Sequence, residues 1–117
     1  MHRFKELKVW QQSVDLAVDV YKVAKKFPSE ERYGIISQIQ RSAVSIPSNI
    51  AEGAGRNTNN EFNHFLGISS GSSNELETQL IIANKLDYLN TEILNQISKQ
   101  IFDVQNMLSG LKGSLFK

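Results

Sequence analysis

The chain has 117 residues, 40% apolar and 21% charged, with a net charge of +1 and no cysteine. That length and composition fit one domain, residues 1–117, built around a single core in a soluble globular class. Disulfides, thiolate metal sites and cysteine nucleophiles are excluded, no apolar run approaches the ~20 residues of a membrane span, and +1 gives little reason to expect a tight nucleic-acid binder. The opening "MHRFKELKVWQQ" enters a helical pattern directly, so no signal peptide is expected and the expected location is cytoplasmic. The charge is uneven: residues 1–27 hold six Lys/Arg against three Asp/Glu, whereas residues 57–87 hold one Lys against four acids.

In the first helix Leu7, Trp10, Val14, Ala17, Tyr21 and Ala24 follow a 3-4-3-4-3 spacing, which predicts an inward stripe. A second stripe, Val9, Leu16, Val20, Val23 and Phe27, lies nearly opposite. A monomeric bundle would leave that second stripe in water, so these five residues are the candidate surface for self-association. Pro28 ends this helix, and Ser29, followed by Glu30 and Glu31, is the expected cap of the next.

The second helix is predicted over residues ~30–54 although Pro47 lies inside it. Ile36, Ile39, Ala43, Ile46 and Ile50 keep one 3-4-3-4 stripe straight through the proline, so one kinked helix is expected rather than two. Gly53 and Gly55 are expected to end it. On its other face Arg41, Ser45, Asn49, Glu52 and Arg56 recur every three or four residues. No lysine follows the glycines, so the block is not a phosphate-cradling loop.

The third helix opens on a Thr58–Glu61 capping box. Its core face is Phe62, Phe65, Leu66, Leu76, Leu80 and Ala83. Ser69 and Ser73 fall on the same face, where they either receive the helix 2 bulge near Pro47 or bond back to their own helix. Ile68, Ile82 and Leu86 form a shorter second stripe. In the fourth helix Asn90 is a good cap, and Leu94, Ile97, Ile101, Val104, Leu108, Leu111 and Leu115 make an unbroken stripe. With no period-two stretch, the expected fold is all-α: an up-down-up-down four-helix bundle with a proline-kinked second helix.

The block "RSAVSIPSNIAEGAGR", with "LKVWQQSVDLAVDVYKVAKKFPSEERYG" before it and "NELETQL" after it, resembles the four-helix bundle proteins encoded within intervening sequences of bacterial 23S ribosomal RNA genes. The resemblance covers nearly the whole chain. It is most specific at Arg41, Ser45, Pro47, Asn49, Glu52, Gly53 and Arg56. It implies a helical bundle and a ring-shaped homo-oligomer, a pentamer. The family is similar to the pentameric, nucleic-acid-binding accessory proteins of diversity-generating retroelements. No enzymatic activity is implied, so no catalytic residue is carried over.

The side chains themselves point the same way. His2 is read as a mobile terminal residue, and His64 lies off the core face without a partner at ligand spacing. Glu75 and Glu77 point to different faces, and no serine stands in a nucleophile elbow. No enzyme, cofactor, metal, membrane contact or small-molecule substrate is expected. Candidate nucleic-acid contacts are Lys22, Lys25, Lys26, Arg32, Arg41 and Arg56, with Tyr33 as an aromatic able to stack on bases. Two functions stay open: an oligomeric adaptor on structured RNA, and a protein-interaction scaffold with no nucleic-acid role. The Arg41–Arg56 stripe is a binding face, a solvated face with a Glu52–Arg56 salt bridge, or an intersubunit polar network.

Overall fold

Two of the four helices start on caps that the sequence supplies. In the computed structural model, which describes residues 2–117, these are α3 (Asn59–Lys85) and α4 (Thr91–Ser114). The Thr58 hydroxyl oxygen accepts from the Glu61 amide at 3.1 Å, and Asn90 Oδ1 accepts from the Ile93 amide at 2.8 Å. Each satisfies one of the amide donors that a helix start leaves free. The other two helices, α1 (Lys8–Ala24) and α2 (Ile35–Ala54), have no side-chain cap. Ser29 therefore does not cap α2. It opens a 3-10 turn, Ser29–Glu31, and α2 begins only at Ile35, after Gly34.

No strand occurs among the described residues. Successive helices are neighbours, and α1 closes against α4. Cross-helix bonds join Asn59 to the Leu115 carbonyl, Gln105 to Ser73 and Asn74, and Asn84 to Thr91. Such descending pairs make α3 and α4 antiparallel neighbours, which is compatible with an up-down-up-down order. The 27 residues of α3 correspond to about 40 Å at 1.5 Å per residue, which accounts for the long axis of the 45 × 24 × 20 Å bundle. The α4 stripe from Ile97 to Leu108, the α2 stripe from Ile39 to Ile50, and Phe62, Leu66, Leu76, Leu80 and Ala83 of α3 are all in the core.

The first helix corrects the expectation drawn from its two stripes. Val9, Leu16, Val20 and Phe27 are buried inside their own bundle, with Val20 at 0% exposure, and Val23 packs against the same core. They are not a surface for a second chain. Of the stripe expected to face inward, Tyr21 is exposed, and Leu7, Trp10 and Val14 are only half-buried. Ser13 hid the true core face, because it interrupts the apolar run Val9–Ser13–Leu16–Val20. It is fully buried all the same, and its hydroxyl donates to the Trp10 carbonyl at 2.8 Å. A serine that bonds back within its helix costs little inside a core.

The second helix runs unbroken through Pro47, as the in-phase stripe requires. Pro47 removes an amide donor from that turn. Opposite this turn, Ser69 of α3 is fully buried and its hydroxyl donates to the Ile46 carbonyl at 2.9 Å. Ser73 behaves differently and donates to Ser70 within its own helix at 2.6 Å. Of the two uses open to these serines, each residue takes one. Ser69→Ala is expected to lower the unfolding free energy by about 1–2 kcal/mol in a urea titration. An unchanged midpoint and slope would show that the Ile46 carbonyl does not need this donor.

Candidate functional site

The residue 41–56 block is first of all a device for packing α2 closely on α3. A Cβ added at Gly53 would meet Phe65 Cβ at 2.7 Å and Phe62 Cδ1 at 2.9 Å. Gly53 is thus a contact point between helices and lies inside α2. The helix is capped one residue beyond its end by Gly55, in an ordinary right-handed conformation. Towards α3, Ser45 Oγ lies 2.8 Å from Ser72 Oγ. Asn49 Nδ2 donates to the Ser45 carbonyl at 2.8 Å and to its hydroxyl at 2.9 Å. At the end of the helix Arg56 pairs with Glu52 at 2.6 Å, and its guanidinium lies 4.7 Å from the Phe65 ring centre. Both partners are about half exposed, so the ion pair itself contributes a few tenths of a kcal/mol.

The polar stripe therefore divides. Ser45 bonds across to α3 within one chain, Asn49 holds Ser45 from the next turn of α2, and Glu52 and Arg56 pair further along that helix. Arg41 stays exposed at the mouth of a shallow cleft shared with Ser42, Ser45, Ser72 and Glu75.

The six candidate basic residues do not make one patch. Lys22, Lys25, Lys26 and Arg32 are exposed at the end of the bundle where α1 turns into α2. Arg56 lies beyond the opposite end of α2, about 30 Å away at 1.5 Å per residue. At the first of these ends Tyr33 is 87% exposed, with the Arg32 guanidinium 5.4 Å from its ring centre. The same end is tied down by Tyr88, whose hydroxyl donates to Glu31 Oε2 at 2.9 Å. That bond, with the negative charge of Glu31 and Glu30, holds the Tyr88 phenol above its ordinary pKa.

Apolar surface is left uncovered on both sides of α2, and also at Phe102 of α4 and at Phe116 beyond its end. Between α1 and α2 runs a groove of about 460 Å³ lined by Val14, Ala17, Val18, Tyr21, Val44 and Pro47, with Lys22 at its rim. On α3, Ile68, Ile82 and Leu86 are exposed, as their out-of-phase stripe leads one to expect. Val18 and Val44 belong to none of the predicted core stripes. For large apolar residues, that is their signal in the sequence. His2 is ordered against α2 and α3: its amide donates to the Ala54 carbonyl at 2.9 Å, and its ring lies 4.9 Å from Phe62. It is not a free end. His64 is exposed and meets only Phe65 edge-on. Among the described residues no three His, Asp or Glu side chains gather where they could hold a metal, and no helix is long and apolar enough to cross a membrane.

A crystal structure described as a protein with unknown function from the S23 ribosomal protein family, from Bacteroides thetaiotaomicron VPI-5482, shares this fold with a TM-score of 0.82. The two are 25% identical, and the similarity covers 89% of this chain and 97% of that one. No curated protein matches the sequence. The family model described as 23S rRNA-intervening sequence protein matches residues 5–110, which include the α2–α3 seam, the groove and the basic end. The chain belongs to the 23S rRNA-intervening sequence protein family.

Proposed function

We propose that this chain is a non-enzymatic, self-associating adaptor that holds structured RNA against the α1–α2 end of its bundle. The observation that carries the reading is the pairing of Arg32 with the almost fully exposed Tyr33, beside Lys22, Lys25 and Lys26. An exposed aromatic ring stacks on an unpaired base, and neighbouring cations hold the phosphates on either side of it. One subunit at +1 attracts RNA weakly. Repeating the basic end around an assembly, a pentameric ring in the reading implied by the sequence resemblance, lets several weak contacts act together. The uncovered apolar groove and α3 strip supply the surface for assembly. Arg41 and Arg56 stand apart from that end and are secondary candidates.

Binding is expected to be micromolar and weakly sequence-selective near 50 mM salt. For about three phosphate contacts on a single subunit it should fall about fortyfold by 200 mM salt, and more steeply as further subunits engage the same RNA. Replacing Lys22, Lys25 and Lys26 together by glutamine should flatten that salt dependence, and Tyr33→Ala should weaken binding without flattening it. Filter binding on a stem-loop RNA reads both effects. If an intact assembly retains no RNA even at low salt, the reading as a protein-interaction scaffold replaces this one. The small net charge favours that alternative.

A further inference from the structure

The uncovered apolar surfaces at the α1–α2 groove and on α3 differ in shape and charge. The α1–α2 surface is concave and rimmed by Lys22, with Lys25 one turn further along α1. The α3 surface is a convex ridge along one face of a helix: Ile82 and Leu86 sit four residues apart, and Glu75 lies seven residues before Ile82 on the same face. Val18 is 47% exposed and Ile82 46%, so neither is held by its own bundle. We infer that the α1–α2 groove of one copy receives the Ile82–Leu86 ridge of α3 from a second copy. This rests on the self-association reading above and names its contact.

Spacing supports the fit. With α3 of the second copy laid antiparallel to α1, Ile82 against Val18 places Leu86 against Val14, because both pairs are four residues apart. The same register carries Glu75 to Lys25, since each lies seven residues, about 10 Å, from its apolar partner. Tyr21 and Val44, both exposed, complete the walls of the groove around the incoming helix. Pairing groove with groove would gather Lys22 and Lys25 of both copies into one interface, and pairing ridge with ridge would gather both copies of Glu75. Like charges brought together in this way disfavour self-pairing of either surface. Groove into ridge brings apolar to apolar and cation to carboxylate.

Two variants test this together. Val18→Glu blocks the groove and leaves the ridge, while Ile82→Glu blocks the ridge and leaves the groove. Both positions are exposed, so each variant should keep the helical signal and cooperative melting of the unmodified chain. Sedimentation equilibrium of each variant alone should show self-association weakened at least about thirtyfold, as for loss of a central interface anchor. An equimolar mixture should recover association, because an intact ridge on one variant meets an intact groove on the other. If Ile82→Glu alone assembles as the unmodified chain does, the groove–ridge contact is wrong while self-association stands. If the two variants are dissociated alone and fail to associate when mixed, the contact is again overturned. A monomeric unmodified chain across the accessible concentration range would overturn both this contact and the self-association reading.

Discussion

Val20→Asp is expected to unfold the chain rather than to release a folded subunit. Val20 is wholly enclosed, on the face of α1 that also buries Leu16, Ala17 and Ala24. A carboxylate placed there has no cation among the core residues around it. Leaving a charge buried and unpaired costs several kcal/mol, about 3–5 where one partner of a buried pair has been removed. The whole stability of a domain this size is only about 5–15 kcal/mol, so the variant should lose most of its helical circular dichroism signal or melt far below the unmodified chain. Val18→Glu, two residues away on the exposed side of the same helix, should leave both nearly unchanged. A Val20→Asp protein that is fully helical, melts cooperatively and has merely dissociated would place this face of α1 back on the surface.

Replacing glycine by alanine is expected to have opposite signs at two helical positions. At Gly71, in the middle of α3, a Cβ would meet nothing within 4 Å. Gly71→Ala should therefore raise stability by about 0.5–1 kcal/mol, the ordinary gain for removing a glycine from a helix. At Gly53 the same methyl would fall 2.7 Å from Phe65 Cβ, an atom fixed to its backbone and unable to swing aside. Accommodating it means separating α2 from α3 just where the Arg56–Phe65 stacking and the start of the serine seam depend on their closeness. Overpacking of this kind costs about 1–3 kcal/mol, which exceeds the propensity gain. Paired thermal melts of the two variants check this. A Gly53→Ala chain that melts above the unmodified one would show that the two helices have room to spare.

Those opposite signs show how much a motif can state without stating its purpose. The block from Arg41 to Arg56 is legible as a helix because Ile39, Ala43, Ile46 and Ile50 hold phase across Pro47. Its polar members are equally regular, and their regularity fits a binding face, an intersubunit network or an internal seam. The structure takes the last for Ser45, which Asn49 holds from within α2, because the smallness of Gly53 and Ser69 lets α3 approach α2 within hydrogen-bond reach. Smallness in a sequence marks that some backbone comes close. It does not say which one.

By itself the sequence determined the four helices, their caps at Thr58 and Asn90, and the buried faces of α2, α3 and α4. Each of these is set by local spacing and by donors and acceptors within one turn. Only the tertiary structure decided which side of α1 is inside. Hydrophobic periodicity locates apolar arcs around a helix's own axis, but α1 carries two arcs. The choice depends on how the helix is rotated between α2 and α4. Ser13 lies on the chosen face and Val18 on the rejected one, so counting apolar residues favours the wrong rotation. What settles it is a collective fit: Val9, Leu16, Val20 and Phe27 fill the space that α2, α3 and α4 leave between them. The side carrying Val18 and Tyr21, turned outward by that fit, becomes one wall of the groove between α1 and α2.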